Sequence, residues 1–106
     1  MNQNRSEKLR EALLHAAAEY LSREANRDSL ITVTNAVLSE DGRRGTVFVT
    51  VLPDDAEERA VKFANRHRTE FAAFFKTRVR GAQAPHVEFA VDRGEKNRQR
   101  LDGLGG

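Results

Sequence analysis

The residues with chemistry to offer are concentrated between positions 59 and 80. Arg59, Lys62, Arg66, Arg68, Lys76, Arg78 and Arg80 stand there against Glu70 alone, a local charge of +6 in a chain of 106 residues whose net charge is +2. Seven cations with one carboxylate among them cannot neutralise one another. The chemistry they suit is an anionic partner carrying repeated charges, such as a row of phosphates. His67, between Arg66 and Arg68, can add a donor to the same surface. Arg43 and Arg44 form a second, smaller basic point. Acidic residues gather instead at Asp54, Asp55, Glu57 and Glu58, just upstream of the basic run.

Other chemistries find little support. His15, His67 and His86 are far apart, without i, i+4 pairing, and there is no cysteine. Disulfides and cysteine-based zinc sites are thereby excluded, and no metal-ligand spacing is left. No Ser-His-Asp set, phosphate-cradling glycine loop or acid–base pair can be assembled. The expectation is a protein that is not an enzyme and takes no cofactor, metal or small-molecule substrate. The start, MNQNRSEKLREALL, lacks the apolar run of a signal peptide. No stretch approaches the roughly 20 apolar residues that span a bilayer. A soluble cytoplasmic protein with no membrane partner is expected.

The elements that must position the basic run can be read from periodicity. A first helix is predicted from about Asn4 to Glu24, with Asn4 and Glu7 as a capping box. Leu9, Leu13, Ala16, Ala17, Tyr20 and Leu21 form its apolar stripe, and Arg5, Glu7, Arg10, Glu11 and Glu19 fall elsewhere. Leu30–Leu38 reads as a strand with Ile31, Val33 and Val37 on one face and Thr32 and Thr34 on the other. Thr46–Leu52 reads as a second strand, with Val47, Val49 and Val51 opposite Thr46, Phe48 and Thr50. Asp41-Gly42 between them marks a hairpin turn, because glycine takes a positive φ at no steric cost.

Pro53-Asp54-Asp55 ends that strand, and either aspartate can cap the next helix. From Ala56 to Arg80 there is neither proline nor glycine. One unbroken helix would put Arg68 in the middle of the apolar face made by Ala60, Ala64, Phe71 and Phe75. Burying an unpaired arginine is costly, so the chain is predicted to break near Asn65–Thr69 into two helices. Thr69 can cap the second, and Gly81 stops it. Ala84-Pro85 then forces an extended entry into a third strand, His86–Val91, with Val87, Phe89 and Val91 on one face. The predicted fold class is α+β, in the order αββααβ, with a three-stranded sheet covered by helices on one face. Residues 5–92 make one domain, and the polar, glycine-rich residues 93–106 a flexible tail.

That order, with these residues, resembles the bacterial ribosome-binding factor A family. The residues that carry the resemblance are Ile31-Thr32-Val33-Thr34, Val37 and Ser39 before Asp41, and Val47-Phe48-Val49. Arg78-x-Arg80 ahead of Pro85-x-Val87-x-Phe89-x-x-Asp92 continues it. It runs from Leu9 to about Asp92. The resemblance implies a KH-like domain of type II with no enzymatic activity. It further implies binding to the immature small (30S) ribosomal subunit and support for late maturation of the 16S rRNA 5′ end, above all in the cold. The implied partners are that subunit and its 16S rRNA, met by a monomer. One departure stands out. Where the family has an Ala-x-Gly kink, Ala64-Asn65-Arg66-His67-Arg68-Thr69 has no glycine, and Asn65 is the residue best able to adopt a left-handed turn. The GxxG loop by which KH domains grip single strands is absent too.

Within this frame the RNA-binding candidates are Arg59, Lys62, Arg66, His67, Arg68, Lys76, Arg78, Arg80, Arg43 and Arg44. Arg59, Lys62, Arg66 and Arg80 lie opposite the apolar stripe, and the kink is expected to swing Arg68 outward. Arg78 admits either placement. Phe71 and Phe75 are core, and core packing is also the expected use of Phe63 and Phe74. Two alternatives remain open: a protein-interaction module using the open sheet face or the first helix, and a KH-like RNA binder unrelated to ribosome assembly.

Overall fold

A computed structural model of the chain describes residues 3–24, 29–81 and 83–98. The first helix, α1, spans Gln3–Glu24. Its stripe of Leu13, Ala16, Ala17, Tyr20 and Leu21 is buried, with Leu9 packed at the margin. The helix begins ahead of Asn4, so Asn4 lies within the first turn. The cap expected of its side chain lies outside the described residues.

Strands β1 (Leu30–Leu38) and β2 (Arg44–Leu52) form the antiparallel hairpin, β2 starting two residues before the predicted Thr46. Gly42 supplies the turn at φ 71°. Asp41 shapes it by accepting from the Ser39 hydroxyl at 2.7 Å and the Arg43 N–H at 3.0 Å. The expected face of β1 changes partway along. Val33 faces Val49, but Asn35 faces Phe48, so Thr34 is an extra residue in a β-bulge. Beyond it the alternation is reversed. Ala36, not Val37, enters the core, and Val37 is 51% exposed.

A 3-10 turn, Asp54–Ala56, then leads into α2 (Glu57–Arg66). Neither start has a side-chain cap, so Asp54 and Asp55 do not serve as the predicted N-caps. The predicted break is present. His67, at φ −100° and ψ 19°, separates α2 from α3 (Arg68–Arg78). Thr69 therefore falls inside the first turn of α3 and caps nothing. The kink requires no left-handed residue: only Gly42 and Gly81 have positive φ among the described residues. Asn65 stays helical and turns its amide to β3 (His86–Val91). It donates to the Phe89 carbonyl at 3.1 Å and accepts from the Phe89 N–H at 2.9 Å.

The sheet order is β1-β2-β3, with β2 and β3 parallel and joined through the two helices. Val47, Val49 and Val51 from the centre strand meet Phe71, Phe75, Phe89 and the α1 stripe in one core. Phe71 stacks edge-on against Tyr20 and Phe89. The tail expected from residue 93 is helical over residues 93–98. Asp92 accepts from the Glu95 N–H at 2.9 Å, and Lys96 pairs with Glu57 of α2 at 2.9 Å. Residues 99–106 lie outside the described residues.

Candidate nucleic-acid interface

Packing of α1 across the sheet brings its first turns beside the hairpin and beside both ends of α3. Between them lies an open groove of about 1260 Å³. Arg5 and Lys8 of α1, Arg43 of the hairpin, Arg68 at the start of α3 and Arg80 beyond its end all line it. Among the described residues, Asp41 is the single carboxylate in the lining. Its bonds to Ser39 and the Arg43 N–H hold its carboxyl below the usual range, so it is engaged in the turn as an ionised group. Gly81, at φ 78°, turns the chain along one wall.

The outer face of α2 carries the rest of the basic surface. Arg59, Lys62, Arg66 and Arg68 line a shallower hollow of about 720 Å³. Arg68 and Thr69 belong to both hollows. The break at His67 thus turns Arg68 out of the core, as expected, and makes it the joint of one continuous basic surface.

The predicted residues divide by what they already touch. Arg66, Arg68, Lys76 and Arg80 are exposed and make no ion pair among the described residues. Lys62 pairs with Glu58 at 3.0 Å, but both side chains are largely exposed and such a pair is easily exchanged for another anion. Arg59 donates to the Asp55 carbonyl at 3.3 Å. Arg43 reaches the groove, whereas Arg44 is exposed at the start of β2 outside its lining. Lys76 also lines neither hollow. His67 is half-buried, its ring 4.2 Å from that of Phe63 and its Nδ1 2.8 Å from the Phe63 carbonyl. Arg78 is bound to Glu19 of α1 by two hydrogen bonds.

Arg5 and Lys8 were not singled out by sequence. Nothing local distinguishes a water-facing cation on α1 from one that packing sets beside residues some 60 positions away. Among the described residues, no aromatic side chain except His86 lines the groove. Phe71, Phe75 and Phe89 are core, so the groove offers charge and hydroxyls, not a stacking platform. Among the described residues there is no cluster of three or more groups that could hold a metal ion. Nor is any helix there long and apolar enough to cross a membrane.

Fold and surface together define a KH-like α+β domain that presents a cationic surface. The sequence profile of the ribosome-binding factor A family matches residues 5–104. A curated relative, ribosome-binding factor A of Fervidobacterium nodosum, is 31% identical over 67 residues, 62% of this chain and 54% of the relative. The chain thus spans about half the length of that relative. Among solved structures, the crystal structure of ribosome-binding factor A from Thermus thermophilus superposes with a TM-score of 0.72 at 30% identity, covering 81% of this chain and 94% of that one. Coordinates of the Thermus thermophilus protein fitted as a homology model into a cryo-EM map of a 30S–RbfA complex superpose with a TM-score of 0.71 at 30% identity, covering 81% and 93%. The chain belongs to the ribosome-binding factor A family.

Proposed function

We propose that this protein is a non-enzymatic assembly factor that binds the immature small ribosomal subunit. The observation that carries the reading is the continuity of the cationic groove with the α2 face through Arg68. A bent basic surface poor in aromatic groups suits the phosphate backbone of folded RNA better than splayed bases. The Thermus thermophilus relative fitted into a 30S complex supports the choice of partner. In this account the domain acts in the cytoplasm as a monomer. It docks on 16S rRNA by shape and charge, holds it in one arrangement during late maturation and 5′-end processing, and leaves. No cofactor takes part.

Phosphate contacts release counterions, so affinity must fall with salt in proportion to their number. Changing Arg66, Arg68 and Arg80 together to Ala is predicted to weaken binding to purified immature small subunits. The slope of log affinity against log salt should flatten by about 0.7–0.9 for each phosphate no longer engaged. Unchanged affinity and slope would reject the basic surface. The open sheet face supplies the second reading, a protein-interaction module: Leu30, Val37 and Leu52, all more than half exposed, share it by register. Partner binding insensitive to salt, and sensitive to Leu30→Ser, would move the assignment there.

A further inference from the structure

Arg78 stands apart from the rest of the basic run. Its Nε donates to Glu19 Oε1 at 3.1 Å and its Nη2 to Glu19 Oε2 at 2.7 Å, a fork meeting a fork. The guanidinium lies 4.5 Å from the centre of the Phe74 ring, which packs on Tyr20 at 5.5 Å. Arg23 closes the cluster, 3.5 Å from Glu19 and 5.8 Å from the same ring centre. The hydrogen bond to Arg78 is the main cause that holds the Glu19 carboxyl below its usual range, and Arg78 is raised in turn. Glu19, Tyr20 and Arg23 belong to α1, and Phe74 and Arg78 to α3, so the cluster ties the two helices together.

Arg78 is also the last residue of α3. Val79 then turns extended, at φ −129° and ψ 100°, and packs against the core. Arg80 follows directly into the groove wall, in the company of Arg5 and Lys8 from α1. We propose that Arg78 is a positioning residue: with Glu19 it fixes the end of α3 to α1, so that Arg80 stands in the groove with the α1 cations, and it does not itself touch the bound phosphates. This rests on the groove being the binding surface. To reach a phosphate, Arg78 would have to break two charge-assisted bonds and leave Glu19 to Arg23 alone, at 3.5 Å.

The two roles predict opposite signs for the removal of Glu19. If Arg78 were a phosphate ligand, Glu19→Gln would free a cation and delete an anion, and binding would tighten. If Arg78 positions Arg80, the same change loosens the groove and binding weakens. The test is salt-dependent binding of the full chain to purified immature small subunits, with Glu19→Gln, Arg78→Ala, the double variant and Arg80→Ala compared. Glu19→Gln and Arg78→Ala should each weaken binding about three- to tenfold, and the double variant little further. Their salt slopes should match the unaltered protein, whereas Arg80→Ala should flatten its slope by about 0.7–0.9. Tighter or unchanged binding by Glu19→Gln, or a slope lost in Arg78→Ala, overturns the proposal.

Should the unaltered protein fail to bind, or Arg80→Ala leave slope and affinity unchanged, the reading of the groove fails. The positioning role is then read in the free protein from the backbone amide resonances of Arg80 and Gly81. Both Glu19→Gln and Arg78→Ala should displace them, and resonances that stay in place reject the role. Glu19→Gln is nearly isosteric at a partly exposed site, so the comparison does not depend on a variant that unfolds.

Discussion

Thr34 and Asp92 lie 58 positions apart, yet the Thr34 hydroxyl donates to Asp92 Oδ2 at 2.5 Å. Oδ1 of the same carboxylate takes the Glu95 N–H, so one side chain secures the bulge in β1 and starts the helical segment at 93–98. These bonds, Thr34 first, favour the ionised form and hold the Asp92 carboxyl below its ordinary value. A carboxyl with a lowered folded pKa adds stability that is full above its unfolded value, about 3.9, and is lost as pH falls through the folded value. Urea unfolding between pH 7 and pH 3 should therefore show stability declining below about pH 4. Asp92→Asn should cost about 1 kcal/mol at neutral pH and lose part of that decline. An acid profile identical to that of the unaltered protein would contradict the role given to Asp92. Thr34 and Asp92 are both in the sequence pattern that carries the family resemblance, but their pairing depends on a register shift no local pattern displays.

At the scale of elements, the break between α2 and α3 was legible because a single buried arginine made the unbroken helix untenable. Its chemistry was not. The break uses ordinary backbone at His67, and Asn65 holds its place in α2 while bonding the outer edge of β3. Among the described residues no fourth strand pairs with that edge, so the amide meets a donor and an acceptor that would otherwise face α2 unpaired. Asn65→Ala should cost about 1–3 kcal/mol in chemical unfolding and speed hydrogen exchange at Phe89. Asn65→Asp should do no better, because a carboxylate can accept from the Phe89 N–H but only repel its carbonyl oxygen. Full stability in Asn65→Asp would show that the amide donor is dispensable. Val37 illustrates the opposite case: period-two alternation places it on the core face, and only pairing with β2 reveals the bulge that turns it out. Strand existence and the hairpin turn are local matters; strand register is not.

For the whole molecule, the basic run of the sequence becomes one basic surface in space, with Glu58 kept beside Lys62 on its α2 side. The basic run wraps from α2 around Arg68 into a groove completed by Arg5, Lys8 and Arg43, whereas Asp54 and Asp55 sit exposed in the turn that precedes α2. Most of this surface is legible in the sequence, namely Arg59, Lys62, Arg66, Arg68 and Arg80 of the basic run and Arg43 of the hairpin. The part from α1 was hidden because it depends on how distant elements pack. Arg78 shows the converse, a cation that composition places on the surface and packing ties to Glu19.

The central claim is that this surface binds the immature small subunit, and cosedimentation from cell extract tests it most directly. Tagged protein and its Arg66, Arg68, Arg80 triple Ala variant would be followed across ribosomal fractions at low and high salt. The account predicts enrichment on free small subunits over mature ribosomes, falling steeply with salt and largely lost in the triple variant. Folded protein absent from every ribosomal fraction, or a triple variant that sediments as the unaltered protein does, would contradict it.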